Sequence, residues 1–254
     1  MKAFPDSVGI DNVDRGKNNN TIFVDLKDYN DLFWKIKDLG ITTVYHQAAI
    51  PSVPASYSDP IKTYANNVTA SLNLIKICKV IGVKKFVFAS SSSVLGTSPY
   101  GHSKKFIEEA LKHLGLNFTI LRYFNVFGAG QRENVISIMY DCIKNDKELK
   151  IFGDGETTRD FSHINNVITA NIKAADQKYN GEILEVGTGK PHSLNQIYGM
   201  IRNKVNPYHS KISYGPNRIG DIRYSQAKTF LGETEITPLE QGLAIWLSDL
   251  DINS

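Results

Sequence analysis

Ser91, Ser92 and Ser93, then Tyr100, then Lys104: of all the residues in this chain, these have the types and spacing best suited to chemistry. A tyrosine titrates at about 10 and is a poor base at neutral pH. A lysine one helical turn further on stabilises the phenolate and brings that value down. A serine hydroxyl beside the pair can relay a proton or hold a substrate oxygen. Tyr-x-x-x-Lys also arises in surface helices that do no chemistry, so the pair gains meaning only from the elements that present it.

Those elements alternate. Runs at 7–11, 21–26, 42–46, 84–90, 117–123, 149–153 and 182–187 are short and rich in Val, Ile, Phe and Thr, as strands buried on both faces of a parallel sheet are. Between them the spacing predicts helices over 28–39, 60–81, 103–114, 134–145, 163–178 and 193–204. Asp59-Pro60 makes an N-cap and first helical position, and Gly82 a stop. This order predicts a doubly wound α/β fold with right-handed crossovers. The serines end the fourth strand, and Tyr100 and Lys104 lie on or just before the helix that follows.

A sheet of this kind binds ligands beyond the carboxyl ends of its strands. Asp11 and Asn12 close the first strand, Asp25 and Leu26 the second, and His46-Gln47-Ala48-Ala49 the third. A carboxylate at such an end can accept hydrogen bonds from a ribose hydroxyl, as in NAD binding, and small alanines let a cofactor approach the backbone. The same Asp residues also suit plain turns or caps.

Composition narrows the classes. A net charge of +3 with 22% charged residues, and no basic run, argues against nucleic acid as a partner. Two distant cysteines, Cys78 and Cys142, make neither a disulfide framework nor a metal site, which fits a reducing compartment. With no signal-like leader and no apolar run of spanning length, a cytoplasmic protein without membrane association is expected.

Taken together, KKFVFASSSSVLG, SPYGHSKKFIEE, LRYFNVFGAGQR, IFGDGETTRDFSHINNV and RIGDIRYS resemble the extended short-chain dehydrogenase/reductase family, and within it the nucleotide-sugar epimerases and dehydratases. HQAAIPSVPASYSDPIKTYANNVTASLNLI is similar to that family's stretch from the third strand into the central helix. The resemblance runs from about Val8 to Leu247. It implies a Rossmann-like sheet over 7–130 and 163–187, interleaved with a smaller substrate lobe over 131–162 and 188–254. It also implies NAD as cofactor, a UDP-sugar as substrate and a homodimer through the helices 60–81 and 103–114.

Residue by residue, the resemblance makes Tyr100 the acid or base, with Lys104 lowering its pKa and holding the nicotinamide ribose. Ser91 matches the catalytic serine, with Ser92 and Ser93 close enough to leave the register open. Asn67 matches the asparagine that orients the active site and lines the cofactor, together with Asp11, Asn12, Asp25, Leu26 and Ala48. Ser92, Asn125, Arg159, Arg218 and Asp221 match substrate positions; guanidinium forks suit a diphosphate, and an ion pair of Arg159 with Asp154 or Asp160 is the lesser alternative. A dehydratase usually adds an acidic pair beside the catalytic serine, whereas Ser92 and Ser93 stand here, so 4-epimerase-like chemistry is favoured over dehydratase or reductase chemistry.

Three departures stand out. No Gly-x-x-Gly-x-x-Gly turn, which binds pyrophosphate at a helix N-terminus, precedes Asp11. Only Ser92 to Pro99 separate the serine from the tyrosine, and Leu95 stands where a tyrosine is common. The missing cradle predicts weakened or lost NAD binding. It also keeps a second reading in play, a non-catalytic family member that binds a sugar nucleotide or a partner protein.

Overall fold

The computed structural model describes residue 4 and residues 6–13, 20–131, 134–217 and 222–252. In chain order the elements begin β1 (Gly9–Asp11), β2 (Thr21–Phe23), α1 (Tyr29–Ile36), β3 (Thr43–His46), α2 (Val53–Ser58), α3 (Pro60–Tyr64) and α4 (Ala70–Ile81). Then come β4 (Lys85–Ser91), α5 (Pro99–His113), β5 (Phe118–Tyr123), β6 (Val126–Phe127), α6 (Val135–Lys144), β7 (Leu149–Phe152), β8 (Thr158–Asp160) and β9 (Ser162–His163). The chain continues through α7 (Ile164–Ala174), β10 (Glu182–Val186), β11 (Pro191–Ser193), α8 (Leu194–Val205), β12 (Ile212–Gly215) and α9 (Leu239–Ile252).

Two compact units result, residues 1–121 with 171–183 and residues 122–170 with 184–254. In the first, β1 pairs with β2 in parallel, and β3 pairs in parallel with β4 in a four-stranded sheet ordered β10-β5-β4-β3. Six of the seven residues of β4 are buried, as its apolar sequence requires of a strand covered on both faces. Leu32 and Ile36 of α1, Leu74, Ile75 and Ile77 of α4, and Ile107 and Leu111 of α5 pack with Phe86 and Phe88 into one core. Such side chains contribute roughly 1.5–3 kcal/mol each on burial.

The second unit has its own core, in which Met139 and Ile143 of α6, Ile197 and Ile201 of α8 and Leu243 and Trp246 of α9 meet. Its strands are short pairs: β7 with β12, β6 with β9, both parallel, and β8 antiparallel to β11. Among the described residues no helix is long and apolar enough to cross a membrane.

The stretch 60–81 is not one regular helix. Residues Ala65–Thr69 form a π turn between α3 and α4, with the Ala70 amide bonded to the Ala65 carbonyl. Such turns are rare and concentrate at functional sites. The helix expected from 103 begins at Pro99, because Ser98 caps it and a proline loses nothing at the first helical position.

Candidate active site

Ser98 closes the short connection after β4. Its hydroxyl accepts from the Gly101 amide at 3.1 Å, which starts α5 and fixes Tyr100 and Lys104 in its first turns. The segment from Ser92 to Pro99 can be this short because Gly101 lets the helix lie against the Ser93 backbone. A β-carbon at Gly101 would come within 2.1 Å of the Ser93 carbonyl oxygen. Ser91 ends β4 with its hydroxyl accepting from the Ser93 amide at 3.1 Å, and Ser92–Leu95 turn as a short 3-10 segment.

Tyr100 is buried, and Ser91 is the side chain whose hydroxyl favours its phenolate. Burial pushes the phenol above its ordinary value, while Ser91 pulls the other way. Lys104 is also buried, with Nζ donating to the Ala89 carbonyl at 2.7 Å and lying 4.8 Å from the centroid of Phe88. Desolvation brings its pKa down to about 7, against the opposing pull of Glu108 one turn further along α5. The side chain therefore exchanges its proton near neutrality. In this geometry the group that favours the phenolate is Ser91 rather than Lys104, whose ammonium is held on β4.

Asn67 sits in the π turn with all but 1% of its surface buried. Its Oδ1 accepts from the Ile50 amide at 2.8 Å, and its Nδ2 donates to the Ile50 carbonyl at 3.3 Å and to the Ser103 hydroxyl at 3.1 Å. Ser103 in turn donates to the Tyr100 carbonyl at 2.7 Å. Sequence reasoning missed Ser103, Gly101 and Glu108, which is wholly buried and accepts from the Ser90 hydroxyl at 2.6 Å. The available signal was the helical spacing Tyr100, Ser103, Lys104, Glu108, four polar residues on one face of a helix against a buried strand.

The strand-end residues are arranged differently. Asp11 is half-buried and its Oδ1 accepts from the Val13 amide at 3.1 Å, while Asn12 is exposed. Asp25 closes a turn by accepting from the Lys27 amide at 2.9 Å and pairs with the Lys27 ammonium at 3.4 Å. Leu26 is half-buried and packs against the first core, and its carbonyl accepts from Asn73; Ala48 is exposed. The structure thus ties Asn67 through Ser103 to the Tyr100 carbonyl on α5 and holds Lys104 of the same helix on the Ala89 carbonyl of β4, while Asp11, Asn12, Asp25, Leu26 and Ala48 stay at their separate strand ends. Ser92 is half-buried in the 3-10 turn.

In the second unit Asn125 has a left-handed backbone, φ 30, and donates to the Asp160 carbonyl at 3.0 Å. That bond ties it to the strand that carries Arg159, whose guanidinium donates to the Thr158 carbonyl at 2.8 Å. Asp154 pairs with Arg223 at 3.3 Å, and the buried Asp160 carboxylate accepts from the Thr188 amide and hydroxyl and from the Gly189 and Ala227 amides. Asp160 is a hub the sequence reading missed, since its partners lie 28 residues or more away. Arg218 and Asp221 lie outside the described residues.

The NAD dependent epimerase/dehydratase family matches over residues 5–187. A UDP-glucuronate 4-epimerase of Thermodesulfobacterium geofontis is 32% identical, over 87% of this chain and 76% of its own length. The UDP-glucose 4-epimerase of Thermotoga maritima, solved with UDP-glucose, superposes with a TM-score of 0.88 at 27% identity, covering 99% of this chain and 94% of that one. MoeE5, solved with UDP-glucose and NAD, gives 0.86 at 29% identity, covering 97% and 90%. The fold is accordingly Rossmann-like α/β, and with the family match spanning most of the chain, this chain belongs to the NAD-dependent epimerase/dehydratase family.

Proposed function

We propose that this chain is an NAD-dependent 4-epimerase of a UDP-sugar. One observation carries the reading: the Tyr100 hydroxyl is buried on Ser91, with Lys104 one turn away on the same helix. Relatives named as UDP-sugar 4-epimerases support the substrate class. The residues fit the nicotinamide end of a dinucleotide, with Tyr100, Lys104, Ser91 and Asn67 to hold it, and Asp11 suits a ribose hydroxyl. These 254 residues carry no glycine-rich turn for the pyrophosphate.

Bound NAD supplies a reversible hydride acceptor at the sugar carbon. The chain supplies the proton chemistry. Tyr100 takes the proton from the sugar hydroxyl and later returns it, with Ser91 bonded to the same oxygen as the phenolate forms. Desolvation of Lys104 keeps a proton donor near neutrality beside that step. Asn125, Arg159, Arg218 and Asp221 hold the sugar nucleotide, the two arginines on the diphosphate.

Incubating the protein with NAD and UDP-glucose or UDP-glucuronate, and resolving the C4 epimers by chromatography, tests the activity. Turnover is expected. UDP binding by calorimetry without turnover at millimolar NAD would instead favour the non-catalytic reading. A homodimer through α3–α4 and α5 belongs to the same proposal. Ile61 is 81% exposed and Phe106 52%, and large apolar side chains left exposed in this way suit a partner. Sedimentation should give a dimer that Ile61→Glu with Phe106→Glu splits to monomers.

A further inference from the structure

His46 ends β3, is 2% exposed, and belongs to no step described so far. Its Nε2 lies 2.7 Å from the Ser71 hydroxyl, and that hydroxyl lies 2.6 Å from the Asn67 carbonyl in the π turn. A serine has one proton to give. Since the carbonyl can only accept, Ser71 donates there, and His46 must donate its Nε2 proton to Ser71. From Asn67 the line continues through Nδ2 to Ser103 and from Ser103 to the Tyr100 carbonyl. Each hydroxyl in the series donates once and accepts once, so all the bonds run in one direction, and removing the first donor leaves a buried hydroxyl short of a partner.

The ring is held as a neutral imidazole by its surroundings. It packs on Phe86 and Phe88 at 5.9 and 5.7 Å between centroids, and Lys104 approaches the same Phe88. Burial, and the nearby Lys104 charge after it, bring the His46 pKa down to about 3.

We propose that His46 is a positioning residue for the proton-transfer step. Its Nε2 proton fixes Ser71 and the π turn, and through Asn67 and Ser103 it sets the first turn of α5 that aims the Tyr100 hydroxyl at Ser91. The assignment rests on Tyr100 being the residue that moves the proton.

The test compares His46→Leu, which removes the donor, with His46→Gln, which keeps an amide N–H at about the reach of Nε2. The primary readout is the Cζ resonance of Tyr100 in protein labelled with ¹³C-tyrosine, identified by its loss in Tyr100→Phe, and followed against pH. His46→Leu should move that resonance and its titration, and His46→Gln should restore both. In turnover, His46→Leu should lower kcat by about tenfold or more with KM for the UDP-sugar unchanged. Should His46→Leu fail to fold, Ser71→Ala breaks the same series by one oxygen and should move the resonance alike. A folded His46→Leu or Ser71→Ala protein with the Tyr100 resonance and titration unmoved overturns the proposal. A shifted resonance in a chain without epimerase turnover would support the positioning role and count against the proposed function instead.

Discussion

The β3–β4 strands with α4 and α5, and the β1–β2 pair, belong to the same unit and both carry residues expected at the site, yet they hold them in opposite ways. Around β4 the polar groups are buried and bonded across the fold: His46 to Ser71, Asn67 to Ile50 and Ser103, Lys104 to Ala89, at separations of 15 to 36 residues. On β1 and β2 no residue of the strands themselves is fully buried, and the Asp11 and Asp25 carboxylates each accept from an amide two residues along the chain. Long-range bonds fix a side chain in space, whereas two-residue turns fix only the local backbone. The first region is held by bonds across the fold, and the carboxylates of the second by local turns.

The sharpest way to break the first region is Gly101→Ala. With 2.1 Å to the Ser93 carbonyl, either α5 or the end of β4 must move, and overpacking against backbone should cost about 3 kcal/mol. Urea unfolding should show that loss together with abolished turnover. A Gly101→Ala protein of unchanged stability would mean that the close approach is not fixed.

Acid should discriminate the regions next. His46 titrates at about 3 folded and at 6.5 in the unfolded reference. Between those values the unfolded chain binds a proton that the folded chain does not, so stability falls as pH drops from 6.5 towards 3. Lys104 gives the same sign in a higher window: about 7 folded against 10.5, so stability rises as pH climbs between them. Each pH unit of separation is worth about 1.4 kcal/mol, so each window spans several kcal/mol. Urea midpoints measured across pH should show both windows, and His46→Leu should remove the lower one.

Asp11→Ala should have the smallest effect on the fold. Its carboxylate accepts from the exposed Val13 amide two residues on, so stability should change by no more than about 0.5 kcal/mol. NAD affinity, read by calorimetry, should nevertheless fall. A large loss of stability would show that Asp11 is structural and blur the contrast between the two regions.

How much of this was legible follows the same division. The apolar run of β4 and the Tyr100–Lys104 spacing are local signals, and they located the catalytic candidates, whereas the Ser98-Pro99 start of α5 went unread and that helix was expected only from 103. The π turn at Ala65–Thr69 has no comparable signal, because its deviation is sustained by Ser71, Ile50 and Ser103 from outside it. Nor do β8 and β11: Thr158, Arg159 and Asp160 are polar and become a strand only by pairing with Pro191 to Ser193. Asp160 reads as a turn residue until Thr188, Gly189 and Ala227 converge on it. The last helix, α9, places Trp246 in the second core, and its apolar spacing went unread in the sequence.

The central claim is that Tyr100 moves the proton, and Tyr100→Phe tests it most directly. The substitution keeps the ring and its packing and removes only the hydroxyl that meets Ser91. With NAD and UDP-sugar at saturation, kcat should fall by about a thousandfold while UDP affinity and the unfolding midpoint stay near those of the unaltered protein. A Tyr100→Phe protein that epimerises the sugar nucleotide within a few-fold of the unaltered rate would contradict the account.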